Sequence, residues 1–335
     1  MPDLDIDSLT APLASDGPCG ANLEYDPAFD AMEKASLPRP ETQYGDKITP
    51  AQPPDWPAVR QHALALAQRT RDLRVAVQLV RSGARVEGFE SAARGLQLVC
   101  GLLQSHWAHV HPTLDASDHN DPTARVSALV PLAHAEGLAD LRAAGLTPVR
   151  GSVTVRDIEL AFGRAEALPG ESVPTESGIT PAVAAAIAQR PQLAAAMTHA
   201  VEATQAAARL LDDKLGAGIG PDLSPLIKLL QAVALAAQVA QVHALATSGA
   251  TGNATGNAPG AAPKPAGTID SRDDAIRTLQ RVSEWIERNE PSNPAPLLIQ
   301  RAQRLMKKTN FLEIIKDLMP DGLGQIEKLA GPGRE

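Results

Sequence analysis

Arg69-Thr70-Arg71-Asp72-Leu73-Arg74-Val75-Ala76-Val77, His106-Trp107-Ala108-His109-Val110-His111-Pro112 and Leu114-Asp115-Ala116-Ser117-Asp118-His119-Asn120-Asp121-Pro122-Thr123-Ala124-Arg125 follow one another within the stretch from Trp56 to Arg125. Apolar spacing in this stretch decides the fold. Leu73, Ala76, Val77 and Val80 recur at i, i+3, i+4 and i+7, one face of a helix. Phe89, Ala93, Leu96, Cys100, Leu103 and Trp107 make a second face on the next helix. Asp121 before Pro122 reads as an N-cap with proline at the first helical position, so a third helix is predicted to start there. Arg71, Asp72 and Arg74 sit beside the first apolar face. The simplest role for such charges is pairing between helices or with the acidic loop 115–121.

Working outward, helices are predicted at about 57–69, 72–84, 88–107 and 122–135. Residues 1–55 are loop-rich, punctuated by Pro, Gly and Asp, with one short helix around 27–34. Leu13, Leu23, Tyr25, Phe29 and Tyr44 are expected to pin this arm across the helices. Two β-prone runs flank Gly151-Ser152 within 147–155 and predict a minor hairpin, followed by a short helix at 156–162. Alanine dominates 180–247, where Pro181, Pro191, Pro221 and Pro225 are read as helix starts. Leu193, Met197, Ala200, Ala207, Leu211 and Leu215 share one face. Leu223, Leu226, Leu230, Val233, Ala237, Ala240 and Ala244 repeat in a 3,4 pattern. Gly216-Ala217-Gly218-Ile219-Gly220 separates the two runs as a C-cap and turn would, which favours an antiparallel helical hairpin over a coiled-coil oligomer.

Residues 248–268 are Gly, Ala, Pro, Thr and Asn with a single charge, a composition that cannot bury a core. They are expected to form a flexible linker with a coil-like span of about 25 Å. A helical tail follows. Asp270 or Ser271 would cap a helix carrying Ile276, Leu279, Val282 and Ile286 with Trp285 alongside. The run 289–296 breaks it. Leu298, Ala302, Leu305 and Met306, then Phe311, Ile314, Ile315 and Leu318, form further faces. So many large apolar groups on so short a tail make a small core, and partner chains would bury the remainder.

The chain has 335 residues, which sets a prior of about two domains. Apolar residues make up 44% but aromatics only 3%, so the cores must be built from Leu, Val, Ile and Ala. That balance points to an all-α protein with helix-on-helix packing. A net charge of −8 and the lack of a basic patch speak against a nucleic-acid binder. Cys19 and Cys100 have no CxxC spacing and are read as free thiols in a reducing compartment. The N-terminus lacks the basic start and apolar run of a signal peptide, and no window is expected to span a bilayer. The reading is a soluble cytoplasmic protein.

His106, His109 and His111 with Asp115 raise the possibility of a metal site, and hence of a metal-dependent hydrolase. Zinc needs three or four converging ligands, and Pro112 ends the helix that would aim them, so structural or surface histidines are favoured. Asp115, Asp118 and Asp121 fail the calcium-loop pattern, since the sixth position is Asn120 and the twelfth Val126. Capping of the following helix is the better reading. Arg69, Arg71 and Arg74 are able to hold a phosphate or an acidic partner, but pairing with Asp72, Asp115 or Asp121 is favoured. No phosphate-binding glycine loop, nucleophile elbow or zinc-protease helix is present, which lowers the odds of an enzyme.

These residues also carry a resemblance. RTRDLRVAV, the run from Gly95 to Asp115 and DHNDPTAR resemble the N-terminal ImpA-type domain of TssA proteins, components of the bacterial type VI secretion system. Pro18-Cys19-Gly20-Ala21-Asn22-Leu23-Glu24-Tyr25-Asp26 and Pro53-Pro54-Asp55-Trp56 fit the same pattern. Ser127 stands where Asn is usual, and Gln78-Leu79-Val80-Arg81 replaces a Leu-Thr-Arg ending. NEPSNPAPLLIQRAQRLM and FLEIIKDLMPDG resemble the C-terminal domain of one TssA class, which assembles closed multimeric rings.

The resemblance implies an ImpA-type helical domain at 1–140, a middle helical region at 141–247, the linker at 248–268 and a ring-forming helical domain at 269–335. It implies a non-enzymatic assembly component with no cofactor. The structural or partner-binding set would be Trp56, Arg69, Arg71, Asp72, Arg74, Trp107, His111, Asp115, Asp121 and Arg125. Oligomerisation would use Trp285, Glu290, Pro291, Asn293, Pro294, Leu297, Leu298, Arg301, Leu305 and Phe311. The implied partners are further copies of the chain, baseplate components, sheath proteins, and the tube protein or membrane complex. The short middle region and tail tilt the role toward the baseplate. The alternatives are the metal-dependent hydrolase and a monomeric helical adaptor.

Overall fold

Most helices in the first part of the chain start where the sequence supplies an acceptor for their unpaired N–H groups. In the computed structural model, which describes residues 4–14, 16–44, 47–149, 151–248, 272–289 and 294–307, Asp5 opens α1 (Ile6–Thr10) and Asp26 opens α2 (Pro27–Ser36). Asp55 opens α3 (Trp56–Ala67), and Asp72 opens α4 (Leu73–Val86) by accepting the Arg74 N–H at 2.8 Å. α5 (Phe89–His106) follows Gly88. α6 (Thr123–Ala133) begins one residue later than predicted: Pro122 takes the cap position while the Asp121 carboxylate accepts the Thr123 N–H at 3.1 Å. α7 is Ala135–Arg142.

Thr154 and Asp157 close a reciprocal capping box on α8 (Val155–Ala161). Thr175 caps α9 (Glu176–Gln189), which therefore starts a turn before Pro181 and carries that proline inside it. α10 is Gln192–Leu215 and α11 is Ser224–Ser248.

The two strands of the described residues lie in the arm read as loop. β1 (Thr42–Tyr44) and β2 (Lys47–Thr49) pair antiparallel, with Gln43 opposite Ile48. The hairpin predicted within 147–155 is reduced to one bridge, Gly145 to Thr154, with Leu146 N–H on the Val153 carbonyl at 2.8 Å. The reason is local: Thr154 is already the cap of α8, so the second run has no length left to pair.

α4 is the centre of the packing. Leu73, Ala76, Val77 and Val80 are buried, and so are Val75 and Leu79, because α3, α5, α6 and α7 all lie against this helix. α5 buries the predicted residues Phe89, Ala93, Leu96, Cys100 and Leu103 and adds Leu98, Val99 and Leu102. α5 is covered on more than one side, by α4 and by α10, which runs along it as extensively as α4 does. Gly95 allows the close approach of α4 and α5, since a Cβ there would stand 2.9 Å from the Val80 Cα. Leu193, Met197, Ala200, Ala207 and Leu211 are the buried face of α10, as their spacing predicts.

Residues expected as a separate middle region thus share the core of the first unit, which runs to Leu245. α11 has the length and mean hydropathy, 1.4 over Ser224–Leu245, of a membrane-crossing helix, where the sequence reading expected no such window. Its Leu226, Leu230, Val233, Ala237 and Ala240 are buried in the core, and Leu226 meets α5, α6 and α10 around an apolar cavity of about 10 Å³.

The second unit begins at Ala246. It contains α12 (Arg272–Asn289) packed against α13 (Ala295–Lys307). Of the linker expected at 248–268, Ser248 is the last residue of α11, and the remainder, the cap at 270 or 271 and the run 311–318 lie outside the described residues.

Candidate functional site

The three residues Thr70-Arg71-Asp72 link α3 to α4 in extended form and are gripped on both edges. Thr70 bridges to Gly20 on one side and Asp72 to His111 on the other. The Arg71 N–H donates to the Cys19 carbonyl at 2.8 Å, and the Arg71 carbonyl accepts from the His111 N–H at 3.0 Å. The Thr70 hydroxyl adds a bond to the Ala21 carbonyl at 2.9 Å. Gly20 has φ +70° and its Cβ would sit 2.4 Å from the Arg69 carbonyl oxygen, so only glycine fits this crossing. The arm, the α3–α4 link and the end of α5 therefore meet at one knot.

Two arginines lock it. Arg71 is buried and donates to the carbonyls of Ala67 at 2.6 Å, Ala11 at 3.0 Å and Ser8 at 3.1 Å. Arg125 is fully buried and donates to Trp107 at 2.8 Å, Val110 at 2.8 Å and Pro112 at 3.1 Å, with its guanidinium 4.8 Å above the Trp107 ring. The expectation of carboxylate pairing fails for Arg71. Each arginine sits where helix-end carbonyls converge, and a guanidinium presents enough N–H groups to satisfy several of them at once. Burial pushes both guanidinium pKa values down, and the neighbouring Cys19 opposes this. Burial pushes the thiols of Cys19 and Cys100 up, which keeps these free cysteines protonated.

The other arginines behave as ordinary ion pairs, though not all with the expected partners. Arg74 pairs with Asp72 at 2.8 Å and Glu24 at 3.3 Å, and stacks over Phe29 at 4.7 Å. Arg69 pairs with Asp26 at 2.5 Å rather than with the loop aspartates. Asp115 and Asp121 bond within their own loop. Trp56 is buried at the start of α3 under the guanidinium of Arg81, 5.1 Å from its ring. Of the arm residues expected to pin it down, Phe29 is fully buried, while Tyr25 is 94% exposed.

Two of the three histidines bond backbone carbonyls. His106 donates through Nε2 to the Thr10 carbonyl at 2.7 Å, and His111 to the Gly20 carbonyl at 3.0 Å. His109 is exposed. Among the described residues no three His, Cys, Asp or Glu side chains converge as a metal would require.

Sequence reasoning missed three tie points. Arg60 is buried and joins the Glu87 carboxylate at 2.5 Å, the Ser91 hydroxyl at 2.8 Å and the Leu79 carbonyl at 3.2 Å. A basic residue on the otherwise apolar face Trp56, Val59, Ala63, Leu66 was the available signal. Arg81 holds the buried Asp140 at 2.8 Å, and burial still pushes that carboxyl up. Arg156 and Glu171 form a third tie, on the connection from α8 to α9.

In the second unit Trp285, Leu297 and Leu298 are 56%, 70% and 68% exposed, and Val282 is 44% exposed. Pro294 and Arg301 are exposed beside them. The side chain of Leu305, and Glu290, Pro291, Asn293 and Phe311 altogether, lie outside the described residues.

Comparison with known proteins gives these features a context. Residues 10–134 match the family described as ImpA, N-terminal, type VI secretion system. The chain is 37% identical over 353 residues to the type VI secretion system component TssA1 of Pseudomonas aeruginosa PAO1, an alignment covering 99% of this chain and 100% of that protein. Its fold resembles a solved N-terminal domain, including the ImpA_N region, of the TssA component of the type VI secretion system from Burkholderia cenocepacia. That likeness has a TM-score of 0.50 at 24% identity and covers 72% of this chain and 95% of that one.

Proposed function

The chain belongs to the TssA family of type VI secretion system components, and on that premise we propose that it is a non-catalytic, cytoplasmic assembly scaffold. Its C-terminal unit joins copies into a closed multimer. Its N-terminal unit docks baseplate and sheath components, with the baseplate the primary site. The observation that carries this reading is the pair α12–α13. Among the described residues of this unit, Val282, Trp285, Leu297 and Leu298 are substantially exposed, an apolar surface suited to burial against other copies. Multimerisation then multiplies weak contacts made by each N-terminal unit. The non-catalytic assignment is supported by how the signature residues are used: Arg71, Asp72, His111 and Arg125 are engaged in holding the knot.

Solution mass tests the reading. Light scattering after size exclusion is expected to give large, discrete multimers for the full chain and for 269–335, and a small species for 1–247. Monomers in all three cases would overturn the scaffold and leave a monomeric adaptor.

A further inference from the structure

We propose that the turn from Asn22 to Asp26 presents Tyr25 as an anchor that inserts into an uncharged, apolar pocket on another protein of the secretion machine. The proposal rests on the scaffold reading and names what the N-terminal unit offers its partner. Aromatic residues are only 3% of the chain. Phe29 and Phe89 are fully buried and Trp56 nearly so, whereas Tyr25 is 94% exposed, more than any other aromatic side chain among the described residues. A tyrosine left in water adds little to the core of its own unit, and its ring remains for a partner to bury.

The turn that carries it is fastened. The Asp26 N–H donates to the Leu23 carbonyl at 2.9 Å and closes the turn. The Asn22 side-chain carbonyl accepts the Glu24 N–H at 3.2 Å and an Arg74 N–H at 3.2 Å. Arg74 also pairs with Glu24 at 3.3 Å. Arg69 pairs with one oxygen of Asp26, and the other accepts the Ala28 N–H at 2.8 Å to cap α2. Leu23 and Phe29 pack on the core. One residue upstream of the turn, the Ala21 carbonyl takes the Thr70 hydroxyl. The polar side chains of the turn are thus engaged with their own unit, and the phenol ring is the one that stands out. A side chain placed before binding loses little freedom on docking. Tyrosine is also among the residue types in which interface energy concentrates.

Charge does not select this partner. The two carboxylates that flank Tyr25 are both matched, Glu24 by Arg74 and Asp26 by Arg69. Asp30, in the first turn of α2, pairs with Lys34 at 2.7 Å. The hydrogen bond from Arg69 holds the Asp26 carboxyl below its ordinary pKa, so that pair persists at neutral pH. A charged partner surface gains little opposite pairs that are already closed, while an apolar pocket gains the ring. The complement is a concave site lined by aliphatic or aromatic side chains, with a polar atom at its floor for the phenol hydroxyl.

The test replaces Tyr25 in the full chain with a photo-crosslinking phenylalanine analogue and adds each purified baseplate and sheath component in turn. The expected adduct is to one component, at residues that line an uncharged pocket. Binding of that component, measured by calorimetry, is expected to weaken at least about thirtyfold in Tyr25→Ala and less than about tenfold in Tyr25→Phe. Its affinity is expected to change little with added salt. Because the ring lies almost wholly in water, both variants are expected to melt as the parent chain does and to form the same multimer. Binding that Tyr25→Ala leaves intact, an adduct in a charged groove, a steep loss of affinity with salt, or an adduct only to a second copy of this chain each overturns the anchor and leaves the scaffold standing. If the unmodified chain binds no component, the docking role of the scaffold falls and the anchor with it.

Discussion

Arg125 and Arg69 belong to the same signature and do opposite amounts of structural work. Arg125 is fully buried and its guanidinium satisfies three carbonyls where α5 ends. Arg125→Met keeps much of the volume but leaves those carbonyls without their donor, a loss on the order of 3 kcal/mol. For a unit of this size that corresponds to a fall of about 10 °C in Tm, read by calorimetry. Arg69 makes one ion pair at the surface, so Arg69→Ala is expected to leave the melt nearly unmoved. Equal shifts for the two variants would show that the knot is not held as described. The residue types were legible in the sequence. The identity of the arginines' partners was not. Carbonyls at a helix end become acceptors only once the chain has folded back on itself, and nothing in local spacing marks them.

At the scale of an element, the connection from α8 to α9 shows how a loop is held without strands. Arg156 donates to both oxygens of Glu171, at 2.9 and 2.7 Å, and to the Glu166 carbonyl at 2.7 Å. The Leu168 N–H adds a bond to Glu171 at 2.8 Å. The Arg156 hydrogen bond is the main reason, and the Leu168 N–H the next, that the Glu171 carboxyl drops from 4.5 to about 2. For a carboxyl lowered on folding, the stabilisation is fully present above about pH 4.5 and is lost as pH falls through about 2. The Leu168 amide resonance is therefore expected to titrate with a midpoint near 2 and to lose that titration in Glu171→Gln. A midpoint near 4.5 would mean that the clasp is open in solution.

Helix faces were the most legible elements. The first apolar faces of α4, α5 and α10 read directly from 3,4 spacing, because a helix buried on one side repeats its apolar residues each turn. The second faces of α4 and α5 were not, since a helix covered on two sides dilutes that period. Pro181 misled for a related reason: proline marks a helix start only statistically, and Thr175 offered the better cap.

For the whole molecule, the packing of α10 along α5 sets where the chain can be cut. A fragment of residues 1–140 would strip α10 and α11 from the core and leave Leu96, Val99 and Leu103 without the Ala207, Leu211 and Leu226 that complete their cavity. That fragment is expected to bind a hydrophobic dye and aggregate, while 1–247 stays folded and free of dye. A soluble, cooperatively melting 1–140 would contradict the shared core. The sequence by itself determined the all-α class, the order of most helices, the family, and a change of composition after α11, because each is written in local periodicity, capping residues and contiguous motifs. Only the tertiary structure decided that α10 and α11 belong to the core of α4 and α5, that buried arginines answer to backbone carbonyls, and that Tyr25 stands exposed on a fastened turn. Those outcomes depend on contacts between residues as much as 100 positions apart, such as Thr10 with His106, whose closeness comes from the burial of whole helix faces rather than from any local spacing.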